Sequence, residues 1–335
     1  MTNHAGKVYG IGNPLIDVIV NVTDQDLESL SLHKGTMNLI DSKTRNDLVS
    51  FIKTKREEPS YSCGGSCPNT VITLSALGIN TTLAGKVGND EYGKIYRERL
   101  ASLNVKDNLA VSENHTGSSI ILVTPDSERT MNTFLGANRD FSPEDVVEDE
   151  ISSASIFHFT GYMWDTENQK QAVKKALAIA KAKGIRVSFD IADMFAVGRY
   201  RDSFMELIKS SCDIVFANKE EARSLFDNYD AYECCRSMGK LCETAVVKNG
   251  KRGSYICHQG KIYAIPVQGP EIPVDTTGAG DTYAAGFLYG QCKGYDIEKS
   301  GDIASLLAGQ IIKQTGAQFS QEKSDELRKQ LKENF

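Results

Sequence analysis

The sequence predicts an α/β protein: a central, mostly parallel sheet flanked by helices, with a small separate β-sheet. Three observations carry this. After residue 150, extended apolar segments alternate with single helical ones, the pattern of parallel strands joined by right-handed crossovers. Earlier, Ser119–Thr124 and Thr130–Phe134 alternate in polarity around the turn Pro125-Asp-Ser-Glu128, which reads as a β-hairpin; with extended segments at 16–22 and 36–40 it makes a second sheet. Finally, 335 residues with 40% hydrophobic and 24% charged content are globular values, enough for a substantial core in one large domain or two ordinary ones.

Each element has its own signal. Val8–Gly12 is a short apolar run ending in glycine, a buried strand, and Pro14–Val20 continues as an alternating strand. Residues 24–33 carry a short helical pattern, Gly35–Ile40 another strand, and Ser42–Lys53 a capped helix with Leu48, Val49 and Ile52 on one side. Lys53-Thr-Lys-Arg56 is short enough to be a solvated helix end. From Tyr61 a strand runs into Gly64-Gly65, and Pro68 marks the first position of a helix through Val71, Leu74 and Leu77 to Gly78. Tyr92, Ile95, Tyr96, Leu100 and Leu103 share one helical face. Ile156–Thr160, Ile185–Asp190, Asp213–Asn218 and Thr244–Val247 read as strands, with helices over Thr166–Lys183 and Lys219–Phe226. Val247–Gly253 is a turn between strands, Glu271–Val274 is extended, and helices follow at 283–289, 301–313 and 320–332. Asp17, Gly65, Asn218 and Asp281 fall near predicted strand ends, where ligands bind on such sheets.

The chemistry concentrates in Asp275-Thr-Thr-Gly-Ala-Gly-Asp-Thr282. Glycines around an alanine remove bulk and permit left-handed backbone, so N–H groups can converge at a helix N-terminus that favours negative charge. That is an anion cradle suited to phosphate. Asp281, in the first turn, faces whatever binds; a carboxylate beside a phosphate has a natural task in accepting the proton of an attacking hydroxyl. A glycine-rich turn with an acidic first-turn residue is the plainer alternative. Asn13 and Asp17 are polar residues at a strand break, where ligand hydroxyls are gripped or a turn is built. Gly64-Gly65 lets backbone approach a ligand closely, and Asn69 offers both donor and acceptor to vicinal hydroxyls. Asn218 and Glu221 have the spacing of a helix capping box.

Asp275-Thr-Thr-Gly-Ala-Gly-Asp281 resembles the C-terminal signature of the ribokinase-like (phosphofructokinase-B type) carbohydrate and nucleoside kinases. Cys63–Asn69 with Ala84–Gly93 resembles that family's N-terminal signature, Asn218-Lys-Glu-Glu221 its Asn-x-x-Glu motif, and Val247–Gly253 its nucleotide-binding turn. Gly12-Asn-Pro-Leu-Ile-Asp17 is similar to the N-terminal motif of the adenosine kinases; Gly161–Asp165 followed by Val197–Asp202 is similar to bacterial members described as such. The resemblance spans essentially the whole chain. It implies one ribokinase-like domain over 1–335, with a lid from about 14–41 and 115–136, and Mg·ATP-dependent transfer of a phosphoryl group to a primary hydroxyl. Asp281 is then the catalytic base, and the amides of Gly278, Ala279 and Gly280 the anion hole. Asn13, Asp17, Gly64, Gly65, Ser66, Asn69, Phe134 and Asn138 surround the acceptor. Asn218, Glu221, Lys248, Gly250, Gly253 and Thr277 take the nucleotide, with Glu221 holding magnesium through water. Asp275 and Thr277, with Thr315-Gly-Ala317, correspond to a monovalent-cation (K+) position of some members. The family more often has Thr where Lys248 stands. The acceptor implied is a nucleoside, adenosine first, with a sugar (ribose, fructose or a relative) as the alternative; Phe134, Tyr162, Met163 and Trp164 are candidates for an apolar base slot. A catalytically silent binder on the same fold is a further alternative, against which Asp281 and Gly278–Gly280 argue.

Other classes fit poorly. The Gly10-Ile-Gly12 run lacks the third glycine of a dinucleotide fingerprint and continues as strand, and no Gly-x-x-x-x-Gly-Lys-Ser/Thr loop exists, which excludes a P-loop kinase. A net charge of −6 with scattered Lys and Arg argues against nucleic acid as a partner. No apolar run has membrane-spanning length, and Met1–Lys7 leads into a strand and not into a signal-peptide core, so the expected setting is the cytoplasm. The eight cysteines lack paired zinc spacing and read as free thiols. A monomer and a homodimer are both compatible with an exposed lid sheet.

Overall fold

The computed structural model describes residues 6–55, 58–126 and 128–335. Most of the N-terminal stretch read as leading into a strand, Arg56 of the basic run and Ser127 of the hairpin turn lie outside the described residues. The strands are β1 (Lys7–Ile11), β2 (Leu15–Asn21), β3 (Met37–Leu39), β4 (Ser60–Gly64), β5 (Asn80–Gly88), β6 (Lys106–Ser112), β7 (Ser118–Val123), β8 (Arg129–Phe134), β9 (Ile156–Thr160), β10 (Arg186–Asp190), β11 (Ile214–Asn218), β12 (Thr244–Lys248), β13 (Ser254–His258) and β14 (Lys261–Ile265). The helices are α1 (Asp24–Ser29), α2 (Ser42–Ile52), α3 (Ser66–Ala76), α4 (Glu91–Ser102), α5 (Glu148–Ser152), α6 (Glu167–Lys183), α7 (Met194–Ser211), α8 (Lys219–Phe226), α9 (Ala231–Met238), α10 (Ala279–Cys292), α11 (Ile297–Ile311) and α12 (Gln321–Asn334).

Nine strands form the main sheet in the order β14-β13-β12-β11-β10-β9-β1-β5-β6. From β12 to β6 neighbours run parallel; β13 and β14 append an antiparallel hairpin at one edge. The chain lays β5 and β6 on one side of β1, then β9 to β12 on the other. That reversal leaves a crevice at the carboxyl ends of the strands beside β1 and β9. Alternation along each strand sorts the core into two layers. Phe157, Phe159, Phe189 and Val215 face α6 to α9, while Ile156, Phe216 and Val246 face α10 and α11.

The second sheet has the order β3-β8-β7-β2-β4. The hairpin expected at 119–134 is its β7–β8 pair. β4 is an addition to the segments read for this sheet; it pairs antiparallel with β2 and delivers Gly64-Gly65 into the crevice. One face, with Ile16, Val18, Ile120 and Leu122, packs into a third core cluster with residues of α2, α3 and α4. The other face looks onto the crevice.

Several local readings shift. α3 begins at Ser66 with Gly65 as its N-cap, so Pro68 stands at the third helical position, not the first; that position also lacks an intrahelical acceptor, so proline is accommodated. The stretch before the Asp275 turn forms no strand. α11 starts at Ile297 behind the Asp296 cap, ahead of Gly301. α7 was not readable as a helix; Tyr200 breaks its regularity with φ −128° and ψ 19°.

Candidate active site

Asp281 enters the crevice from the first turn of α10, whose N-cap Gly278 has φ +73°, a left-handed conformation open to glycine. A Cβ on Gly278 would lie 2.5 Å from the Ala317 Cβ, so the close turn also requires its absence. The Ala279 N–H closes the turn on the Thr276 carbonyl at 3.2 Å. Among the described residues no acceptor takes the Gly280 and Asp281 amides, which point out at the positive end of the helix. Of the three residues assigned to the anion hole, Ala279 thus has its amide engaged in the turn itself.

α3 supplies the partners of the Asp281 carboxylate. Gly65 has φ +104°, and a Cβ there would lie 2.1 Å from the Asn13 carbonyl oxygen; only glycine lets the chain turn this tightly into α3. From that helix the Ser66 hydroxyl donates to Asp281 Oδ1 at 2.6 Å and the Asn69 amide to Oδ2 at 3.0 Å. Thr70 donates to the Asp281 carbonyl at 3.1 Å. Ser66 and Asn69, read as acceptor-binding, therefore also orient the Asp281 carboxylate. Burial pushes the Asp281 carboxyl up to about 6, against the pull of these two donors.

Two cavities meet at Asp281: Ser66, Ala192 and Asp281 line both. The larger, about 840 Å³, contains Asn218, Glu221, Lys248, Gly250, Gly253 and Gly280. Asn218 caps α8 by accepting from the Glu220 and Glu221 amides at 2.8 and 2.9 Å, while Glu221 accepts from the Asn218 N–H at 2.7 Å and its side-chain amide at 2.6 Å. The capping-box reading is therefore correct, and it fixes Glu221 in place. Burial pushes the Glu221 carboxyl up, and the Asp190 charge adds to it. Lys248 donates to Asp190 Oδ2 at 2.9 Å. Gly250 and Gly253 turn with φ +57° and +82°, and a Cβ on Gly253 would lie 2.1 Å from the Ile265 carbonyl oxygen.

The smaller cavity, about 340 Å³, holds Asn13, Asp17, Gly65, Ser66, Asn69 and Thr277. Asp17 has no hydrogen-bond partner among the described residues, and burial pushes its carboxyl up to about 7 against the pull of Arg129. Gly64 makes room for it: a Cβ there would lie 2.6 Å from Asp17 Oδ2. Asn13 is fixed by the Gln169 amide at 2.9 Å. The open face of the second sheet forms an apolar wall of Leu15, Met37, Leu39, Ile121 and Met131, opposite Tyr162.

Some expected residues lie elsewhere. Phe134 does not line this cavity. Met131 and Thr133 on β8 do, and a two-residue period turns Phe134 to the other face, under Arg45, whose guanidinium carbon is 5.5 Å from the ring centroid. Met163 and Trp164 are buried in the core, leaving Tyr162 of the base-slot candidates at the cavity. Asn138 is buried behind the wall, its amide donating to the Pro14 carbonyl at 3.0 Å, so it braces the Asn13-Pro14 turn. Asp275 accepts from Thr277 and from the Gly316 N–H at 2.9 Å and pairs with Arg129 at 3.1 Å. A monovalent ion there would compete with that guanidinium. Conversely, Asp190, Ala192 and Arg129 stand at the site without having been singled out. Ala192 has φ +65°, rare for a residue with a Cβ, between the two cavities. The acid at the end of Ile185–Asp190, a strand of the ligand-binding edge, was the available signal.

The chain matches the model of the pfkB family carbohydrate kinases over residues 37–324. An uncharacterized sugar kinase of Archaeoglobus fulgidus is 31% identical over 252 residues, 73% of this chain and 96% of that protein. A nucleoside kinase of Methanothermobacter thermautotrophicus is 30% identical over 261 residues, 76% of this chain and 80% of that one. The solved structure of an adenosine kinase from Sinorhizobium meliloti matches with a TM-score of 0.86 at 34% identity, covering 96% of this chain and 99% of that one. Fold, site and sequence thus converge: the chain belongs to the pfkB family of carbohydrate kinases and is a kinase of the nucleoside and sugar class.

Proposed function

We propose that the protein transfers the γ-phosphoryl group of Mg·ATP to the primary hydroxyl of a nucleoside, adenosine before others. The observation that carries the choice of acceptor is the smaller cavity. There a buried carboxylate without a hydrogen-bond partner among the described residues, Asp17, shares the cavity with a wall of aliphatic side chains on the second sheet. Vicinal hydroxyls satisfy the carboxylate, and a purine covers the wall; a bare sugar would leave that apolar surface wet. The likeness to the S. meliloti adenosine kinase supports the same acceptor.

In this reading the acceptor lies in the smaller cavity under the second sheet, which acts as a lid, and the donor in the larger one. Asp281 stands where they meet and takes the proton of the attacking hydroxyl, held for that by Ser66 and Asn69. The Gly280 and Asp281 amides face the developing negative charge. Magnesium keeps most of its water and needs few carboxylates, so Glu221, fixed by the α8 cap on the wall of the larger cavity, would hold it through water. When bound, that ion screens the phosphate oxygens and lowers the barrier to attack.

Measuring kcat/KM with Mg·ATP across adenosine, guanosine, cytidine, ribose and fructose tests the proposal. Adenosine should lead the sugars by at least about tenfold, the discrimination expected from burying a base. Ribose or fructose ahead of every nucleoside would make this a sugar kinase. Failure to consume ATP with any acceptor would leave a silent binder.

A further inference from the structure

An amine stands beside the first turn of α10, on the wall of the larger cavity. Lys248, at the end of β12, is 15% exposed, and its Nζ lies 3.2 Å from the point a Cβ on Gly280 would occupy, over the first turn of α10. A cation against the positive end of a helix is repelled unless an anion stands between them. In the structure the amine is paired with a carboxylate, Asp190, 4% exposed and 2.9 Å away. An ammonium has three donors, and among the described residues Lys248 spends one of them. The others remain for a ligand in the 840 Å³ cavity that Lys248, Gly280 and Asp281 line together.

The geometry points to Lys248 as the cation that neutralises the transferring phosphate, parked on Asp190 until the donor arrives. This rests on the phosphate-donor reading above and gives Lys248, one of the residues expected at the nucleotide, a specific role. Once phosphate oxygens fill the helix mouth, the amine and the helix end attract the same anion instead of repelling each other, so one anion resolves both charges. The amine follows the charge as it develops on the oxygens and needs no proton transfer of its own. Asp190, at the end of β10, holds the long side chain beside the helix mouth.

The test compares wild type with Lys248→Met, Lys248→Gln and Lys248→Arg. The non-hydrolysable triphosphate analogue AMP-PNP and ADP are titrated by calorimetry, and kcat is measured with ATP and the best acceptor. Loss of the charge should weaken AMP-PNP at least about tenfold and ADP less, and lower kcat about 10²–10³-fold, the range for removing a preorganised charge-stabilising donor. The acceptor's own affinity should stay within about threefold, and Lys248→Arg should recover part of the AMP-PNP affinity. Lys248→Gln keeps a hydrogen bond to Asp190, so it carries the test if the Met variant does not fold. Wild-type levels of AMP-PNP binding and turnover in Lys248→Gln would overturn the role of Lys248 alone. A wild type that binds no AMP-PNP would overturn the donor reading with it.

Discussion

Asp281 stands between two opposed effects. Removal from water favours its neutral form, while the Ser66 and Asn69 donors favour the carboxylate, and the balance leaves it at about 6. It is therefore ionised near neutrality and yet basic enough to take a proton. Below pH 6 the protonated group cannot accept one, so kcat/KM should fall about tenfold per pH unit on the acid side. Asp281→Asn keeps the shape and loses the base. Its kcat should drop about 10²–10⁴-fold, with calorimetric affinity for AMP-PNP and acceptor within about threefold of wild type. Turnover within threefold of wild type, or an acid limb unmoved by the local donors in Ser66→Ala, would remove Asp281 from that role. The residue was legible because glycines and an acid at a helix start have few other uses in combination. Asp190 was not: one acid at a strand end carries no pattern, and its meaning comes from Lys248, 58 positions away in the chain.

At the scale of elements, legibility followed how local the determinant is. Caps and glycine turns are written in a few adjacent residues, so α8 with its Asn218 and Glu221 box and the turn at Gly278 were readable. β6, with the polar run Lys-Asp-Asn at its start, gave no alternation to read, and α7 hides behind Gly198 and the break at Tyr200. Phe134 shows the limit of proximity. Strand parity is fixed only when one face is anchored, and Arg129, Met131 and Thr133 take the cavity side. The turn from β4 into α3 is where element geometry meets the site, because it aims Ser66 and Asn69 at Asp281. Gly65→Ala puts a methyl into the Asn13 carbonyl from a backbone angle that side chains avoid. It should lower unfolding stability by about 2–4 kcal/mol, at the upper end for point changes, and raise the acceptor KM at least tenfold. Urea unfolding within 0.5 kcal/mol of wild type, as for an ordinary surface change, would show that the turn is not under that constraint.

For the whole molecule, the α/β class was legible because alternating strand and helix leave few arrangements, whereas the order of nine strands depends on pairings between distant segments such as β1 with β9. What the assembled fold adds is a stability penalty concentrated in the crevice. Asp17 is pushed up to about 7 by burial, so its charged form is disfavoured in the folded chain relative to the unfolded one, where a carboxyl titrates near 3.9. The penalty is fully present above pH 7, shrinks as pH falls, and is gone below about pH 4. His158 runs the other way. Buried and pushed down to about 4, it contributes stability above pH 6.5 that is lost as pH falls towards 4. The two trends overlap in the intact protein and separate by difference. Asp17→Asn removes the first and leaves the second, so it should be more stable than wild type at pH 8 by about 1–3 kcal/mol, with the gap closing by pH 4.5. On the proposed reading, in which the same carboxylate grips the hydroxyls, it should also raise the acceptor KM. Urea unfolding of both proteins at the two pH values measures this directly. An Asp17→Asn protein no more stable than wild type at pH 8 would mean that the carboxylate is solvated in the free enzyme, and that the acceptor cavity is not held ready at the expense of the fold.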